Sequence, residues 1–342
     1  MRWLSLFTLF LLIAATLAGA HLVTLYHQQM TAPLDLEQAE VLLVEPGQGF
    51  RQIVGEMEAR GWVRYPWMVE IHARRAGVAD RLQAGEYEIL PGLTVTAVLD
   101  RMVRGQVIRH RLTVPEGWTA RQFFDAVQGH PALRPLPEGT DLGALMADLG
   151  RPGQHPEGWF LPDTYLFSRD TPGQQILRQA HEGLTQVLDQ AWQNRMEDHP
   201  VESPYELLIL ASIIEKETGQ PQERGLVAGV FVNRLRQGMR LQTDPTLLYA
   251  LEPGETRLTR AELRRDHPYN TYTRDGLPPT PIALPGKASI LAAARPTETD
   301  ARFFVSRNDG THEFSQTYAE HRAAVIRYQL GGDASRYGGG QR

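Results

Sequence analysis

Residues 3–26 read WLSLFTLFLLIAATLAGAHLVTLY and contain no Lys, Arg, Asp or Glu. At about 1.5 Å per residue a helix over this run rises roughly 36 Å, enough to cross a ~30 Å hydrocarbon layer with some tilt. Trp3 and Tyr26 stand where interfacial aromatics sit. Arg2 and the α-amino group precede the run, and Asp35, Glu37 and Glu40 follow it. The positive-inside bias then places the N-terminus in the cytoplasm and the body on the periplasmic, extracytoplasmic side of the inner membrane. A cleaved signal peptide is the competing reading, with Ala18-Gly19-Ala20 as its cleavage-like triplet. Leu22, Val23 and Leu25 continue the apolar run past that triplet and favour a single-pass anchor. Either reading exports the body and gives it the bilayer as a neighbour.

The rest of the composition mostly excludes. The 342 residues carry 35 Lys+Arg against 40 Asp+Glu, a formal net charge of −5, so the chain lacks the basic excess that nucleic-acid binding needs. With no Cys there is no disulfide, thiolate metal site, Cys nucleophile or redox CxxC pair. No HExxH, G-x-S-x-G, Walker A or Rossmann glycine pattern is present, which leaves metalloprotease, serine hydrolase, P-loop and dehydrogenase readings without support. No metal and no cofactor is expected.

Beyond the anchor (1–27) and a polar linker (28–40), a strand, a tight turn and a short amphipathic helix recur. Val41-Leu42-Leu43-Val44 leads through Pro46-Gly47 to Phe50, Ile53, Val54 and Met57. Tyr87 to Leu90 leads through Pro91-Gly92 to Val95, Val98, Leu99 and Met102. A looser third copy runs from Leu112 through Pro115-Glu116-Gly117 to Phe123, Phe124 and Val127. With another helix over 66–76, the strand–helix–helix–strand unit resembles a LysM module, a small fold associated with glycan binding; a plain spacer domain fits the same pattern. The expected fold class is α+β: a transmembrane helix, a small LysM-like α/β subdomain (41–110), a mixed α+β catalytic domain (111–330) and a disordered Gly-rich tail (331–342).

The segment richest in chemistry is YELLILASIIEKET, residues 205–218. Ser203 or Pro204 starts this helix, and Gly219 with Pro221 stops it. Residues 207–214 are apolar nearly all round, which predicts burial on most faces. Glu215 then sits near the negative end of the helix dipole, where an acidic side chain is expected to hold its proton more tightly. A carboxylic acid protonated near neutral pH suits a general acid. A solvated helix end is the alternative. Glu215 and Glu217 stand at i and i+2, so they do not share a face and one must point elsewhere. Further on, Asp244 as N-cap with Pro245 at N1 is a sufficient structural explanation of that pair. The stretch 267–286 is rich in Pro, Tyr and Asn and cannot be regular helix or central strand. Residues 302–316 read as a β-hairpin around Asn308-Asp309-Gly310.

Taken in order, EGWFLPDTY (157–165), ASIIEKET (211–218), VNRL (232–235), MRLQTDPT (239–246), YNTY (269–272), GLPP (276–279), Pro285-Gly286 and His312-x-Phe314 resemble the YceG-like family, the endolytic murein transglycosylases, over residues 41–327. The resemblance implies cleavage of the β-1,4 bond between N-acetylmuramic acid and N-acetylglucosamine in peptidoglycan strands, leaving 1,6-anhydro-muramoyl ends, and a role near peptidoglycan synthases in ending glycan elongation. It implies Glu215 as the catalytic residue, with Glu157, Gln242, Asp244, Asn270 and Tyr272 contacting substrate. A two-carboxylate muramidase, with Glu157 or Asp244 as the partner, and a non-catalytic peptidoglycan-binding scaffold remain alternatives.

Overall fold

The computed structural model describes residues 2–251 and 257–337. The chain forms two compact units: Met1–Arg111 with Ala132–Arg134 and Leu166–Thr171, and Leu112–Pro131 with Pro135–Tyr165 and Pro172–Arg342.

The first unit begins with α1 (Arg2–Thr31), a 30-residue helix. The hydroxyls of Thr16 and Thr24 donate to the carbonyls of Leu12 and Ala20 one turn back, so their polarity is satisfied within the helix. Next come β1 (Glu40–Val44), α2 (Phe50–Ala59), α3 (Pro66–Ala76), β2 (Gly85–Ile89) and α4 (Val95–Val103). β1 and β2 pair antiparallel in the register Glu40↔Ile89 to Val44↔Gly85. Leu42, Val44, Tyr87 and Ile89 face a core completed by Ile53, Val54 and Met57 of α2, Val69 of α3 and Val98, Leu99 and Met102 of α4. Pro66 opens α3 and Gly77, at φ 66°, closes it, as the expected Pro-start and Gly-stop require.

The expected linker over 28–40 is not a free tether. α1 continues to Thr31, and Met30 and Leu34 are buried in the same core. Thr96 Oγ1 donates to the Met30 carbonyl at 3.1 Å, the Leu34 N–H donates to the Leu93 carbonyl at 2.7 Å, and the Arg64 and Tyr65 N–H groups donate to Gln29 Oε1 at 2.8 and 3.1 Å. Two apolar residues among polar neighbours were enough to dock the segment. Residues 166–171 join this unit partly through Glu86, which accepts from His110 Nε2 and Arg169 Nε, each at 2.5 Å.

The remaining elements, in chain order, are β3 (His110–Thr113), α5 (Ala120–Gln128), β4 (Leu133–Arg134), α6 (Leu142–Asp148), β5 (Thr164–Phe167), β6 (Thr171–Pro172), α7 (Gly173–Gln193), α8 (Pro204–Glu217), α9 (Arg224–Arg236), α10 (Asp244–Tyr249), α11 (Arg260–Arg264), α12 (Lys287–Ala294), β7 (Phe303–Ser306), β8 (His312–Ser315) and α13 (Tyr318–Gln329). The centre of the second unit is α8. Residues 207–214 are all buried, against α7, α9, α10 and α12, as an all-round apolar helix demands. Ser203 caps it by accepting from the Glu206 N–H, and Pro204 sits at N1. The helix ends at Glu217, and extended backbone at Thr218 turns the chain away before Gly219 is reached. β7 and β8 form the expected hairpin, in the register Phe303↔Ser315 to Ser306↔His312. The expected disordered tail contains a short 3₁₀ turn at Ala334–Arg336; its last residues, 338–342, lie outside the described residues.

Candidate active site

The last turn of α8 splits its two carboxylates. Residues two apart on a helix are separated by about 200° of rotation, so Glu215 and Glu217 leave on opposite sides. Glu215 Oε2 accepts from the Gly286 N–H at 2.9 Å and from Ser289 Oγ at 2.7 Å. Gly286 is the N-cap of α12 and has no side chain to cap with. Glu215 supplies the missing acceptor and places a carboxylate at the positive end of that helix. One turn earlier on the same side, Ser212 Oγ accepts from the Ile282 N–H at 3.0 Å. This side of α8 therefore pins the Pro-rich segment that leads into α12. Glu116 crowds the same point: a Cβ on Gly286 would lie 1.8 Å from its Oε1. Burial, then the Glu215 charge, raises the Glu116 carboxyl, with Arg224 acting against them.

Glu217 faces an open cleft of about 360 Å³, where Gln242, Asp244, Tyr272, Phe303 and His321 also line the wall. Thr243 Oγ1 donates to Glu217 Oε1. Burial pushes the Glu217 carboxyl above the usual carboxylate range. The Thr243 hydrogen bond opposes that shift, and the neighbouring Asp244 adds to it. Thr243 occupies the N-cap position of α10, yet makes no side-chain cap bond, because its hydroxyl is turned to Glu217. Its direction is fixed from behind: Thr243 N–H donates to Thr271 Oγ1 at 3.1 Å, and Thr246 Oγ1 lies 3.0 Å from that same oxygen, all three threonines being buried.

Asp244 is the first residue of α10 rather than its cap, contrary to the sequence expectation. Its carboxylate is thus free for the cleft, where it accepts from the Tyr272 hydroxyl. Burial, and then that partnership, pushes the Tyr272 phenol well above its ordinary value. Gln242 stands at φ 49°, a left-handed backbone that a non-glycine residue adopts at a cost. Its N–H is held by the Thr271 carbonyl at 3.1 Å. Asn270 lies behind the cleft, fully buried. Its amide donates to the carbonyls of Glu262, Leu263 and Arg265, and its Oδ1 accepts from the Tyr272 N–H at 2.9 Å. Asn270 therefore fixes the turn that presents Tyr272. Arg234, also buried, ties two walls together: its guanidinium donates to the carbonyls of Leu241 and Arg302, and it stacks 5.2 Å over the Phe303 ring.

Of the residues expected at the site, Gln242, Asp244 and Tyr272 come together, and Asn270 supports them. Glu215 and Glu157 do not line this cleft. Glu157 is 3% exposed; its Oε1 accepts from the Ala120 N–H at 2.8 Å, at the start of α5, and its Oε2 from the Tyr249 hydroxyl at 3.1 Å. Burial pushes its carboxyl up to about 7. The sequence reading gave Glu217 no role and did not name Thr243, whereas the structure puts Glu217 on the cleft wall with Thr243 bonded to it. The signal for Glu217 was the i, i+2 pair itself, and for Thr243 a threonine directly before Asp-Pro at a helix start.

A mixed α+β unit with a buried helix delivering one raised carboxyl into a polar, aromatic-walled cleft is the architecture the chain defines. The sequence pattern of the YceG-like family matches residues 42–327. An endolytic murein transglycosylase of Bacillus subtilis is 31% identical over 267 residues, which is 73% of this chain and 74% of that protein. One of Streptococcus pneumoniae is 25% identical over 348 residues, covering 91% of this chain and 62% of the pneumococcal protein, so the chain spans under two thirds of that relative's length. The 2.6 Å crystal structure of a YceG-like protein from Listeria monocytogenes matches with a TM-score of 0.52 at 28% identity, covering 84% of this chain and 98% of that one. The chain belongs to the YceG-like family.

Proposed function

We propose that the protein is a membrane-anchored endolytic peptidoglycan lytic transglycosylase, a lyase, and that Glu217 is its acid. The observation that carries this reading is the position of Glu217: a carboxyl raised by burial and by Asp244, held by Thr243, on the wall of a cleft whose other groups suit a sugar. The names of the relatives supply the substrate, murein.

One carboxyl suffices for the non-hydrolytic reaction. Protonated Glu217 gives its proton to the glycosidic oxygen as the bond from C1 of N-acetylmuramic acid to O4 of N-acetylglucosamine breaks, releasing the 4-hydroxyl of the N-acetylglucosamine. The 6-hydroxyl of the same muramoyl residue attacks C1, and its proton passes to the Glu217 carboxylate. The acid is restored and a 1,6-anhydro ring closes. An internal nucleophile gains from proximity and removes the need for a second carboxylate to activate water. Asp244, with Tyr272 donating to it, stands to offset positive charge developing at C1, and Gln242 offers an amide to an acetamido group. Glu215 keeps a positioning role through Gly286 and Ser289.

Asp244 sharing the cleft with Glu217 favours one second reading, a muramidase in which Asp244 activates water. Mass spectrometry of glycan digested in ¹⁸O-water separates the two. Anhydro ends without ¹⁸O support the transglycosylase; reducing ends carrying ¹⁸O would replace it with the muramidase. The anchored topology, with the N-terminus inside, rests on α1, whose Leu6–Thr31 stretch is long and apolar enough to cross a membrane. The β–α–α–β order of the first unit supports its LysM-like, glycan-holding role, and a tethered cleaving enzyme suits nascent strands beside their synthases.

A further inference from the structure

The first unit carries a face that the murein reaction does not use. At about 1.5 Å per residue, the 30 residues of α1 extend roughly 45 Å, some 15 Å more than the ~30 Å hydrocarbon thickness. If the span begins at Trp3, the helix leaves the hydrocarbon near Leu22, and α3 packs against the emerging part. Gln29 meets the N–H groups of Arg64 and Tyr65 at the start of α3, whereas the Tyr26 hydroxyl lies 2.6 Å from His72 Nδ1 near its end. α3 therefore runs back along α1 toward the membrane. Its inner side buries Met68, Val69 and Ala73. Its outer side shows Trp67, Ile71 and Arg75 in line at spacings of four. Trp67 is 51% exposed and Ile71 39%, next to Leu22 at 49% and Val23 at 56%. These residues, with Tyr26 and Arg75, line a groove of about 430 Å³ between the two helices.

An exposed tryptophan alone means little. Here the exposed pair shares a groove with Leu22, Val23 and Tyr26 of the emerging helix, so it continues the apolar surface of the span, and the face ends in Arg75. Glu70, the acidic residue on α3, is occupied by Arg51 and Arg74, at 3.4 and 3.5 Å. Arg75 makes no ion pair among the described residues and sits in the last turn of α3, the end nearest the lipid.

We propose that the outer face of α3, with the emerging turns of α1, is a bilayer-docking surface: Ile71 seats with Leu22 and Val23 at the boundary of the acyl chains, Trp67 lies a turn further out among the headgroups, and Arg75, at the end nearest the lipid, reaches back along the face to anionic phospholipid headgroups. The first unit would thus lie against the membrane surface and not swing free on a tether. The inference rests on the anchored reading of α1, and its test separates the two.

The chain has no native Cys, so Ile71→Cys carries the one thiol for a bimane label. The labelled full-length protein is placed in vesicles of phosphatidylcholine and phosphatidylglycerol with brominated acyl chains, and Leu17→Cys, mid-span in α1, is labelled in parallel. Docking predicts that both labels lose most of their emission to the brominated lipid and that neither is quenched by aqueous iodide. A Leu17 label quenched by lipid beside an Ile71 label quenched only by iodide overturns docking and leaves the anchor intact. If lipid quenches neither, the anchored reading falls and docking with it. Adding Arg75→Glu should weaken lipid quenching at Ile71 in the mixed vesicles and leave it unchanged in pure phosphatidylcholine; equal quenching in the mixed vesicles would refute the headgroup contact.

Discussion

Glu215→Gln and Glu217→Gln, two residues apart, should fail in opposite ways. Glu215 holds two donors at 2.9 and 2.7 Å at the start of α12. A hydrogen bond to a charged group contributes about 1.5–3 kcal/mol and a carboxylate at a helix N-terminus about 0.3–1 kcal/mol. The glutamine keeps one acceptor oxygen and loses the charge, so its cost is set at ~1–2 kcal/mol, a fall in Tm of roughly 2–8 °C for a domain of this size. Glu215→Ala also strands the Gly286 N–H and should cost ~3 kcal/mol. The surviving folded fraction of Glu215→Gln should retain most of its turnover. Glu217→Gln removes the proton donor and should lower kcat by ~10²–10⁴, or about 3–5 kcal/mol of barrier. It replaces a largely buried carboxyl by a neutral isostere, so Tm should hold or rise. Release of glycan fragments by each variant, normalised to the folded fraction from thermal melts, is the assay. Loss of turnover in Glu215→Gln at unchanged Tm, with Glu217→Gln still active, would refute the assignment and return the acid to Glu215.

Further expectations follow from the same geometry. A general acid must be protonated, so activity falls as pH rises through the Glu217 pKa. Asp244→Asn removes a neighbour that raises this carboxyl and should move the alkaline limb of the kcat profile to lower pH, while Thr243→Val removes a donor that lowers it and should move the limb the other way. Glu157 has its carboxyl raised from 4.5 to about 7, so its contribution to stability is fully present below pH 4.5 and is lost as pH rises through 7; the loss is about 3 kcal/mol, and denaturant melts from pH 4.5 to 8 should show it in the parent and not in Glu157→Gln. Asn270→Ala should cost ~2–4 kcal/mol in denaturant melts and raise KM for glycan, because three carbonyls lose their donor and the Tyr272 N–H its acceptor; an unchanged KM would remove the link from that turn to Tyr272.

What could be read from the chain alone divides along a physical line. Patterns that a segment settles by itself were legible: the apolar all-round helix α8, its Ser203-Pro204 start, the Pro66 to Gly77 limits of α3, and the β7–β8 hairpin. Choices settled by a partner far along the chain were not. Glu215 and Glu217 are chemically identical and follow the same buried helix, so nothing within α8 says which side faces the cleft. The residues that decide it are Thr243, 26 positions after Glu217, and Ser289, 74 after Glu215. Asp244 shows the same limit from the other side. Asp-Pro at a helix start is satisfied locally by a cap, and the local reading stops there. In the structure the cap position belongs to Thr243, which gives its hydroxyl to Glu217 and leaves its own helix without a side-chain cap, while Asp244 accepts from Tyr272. Each of these departures from the locally preferred arrangement gives up some local stability, as does the left-handed backbone of Gln242 beside them. That three consecutive residues depart, and that all three line or support the wall facing one raised carboxyl, is hard to account for by packing alone; it is the pattern expected where a chain trades local stability for a site.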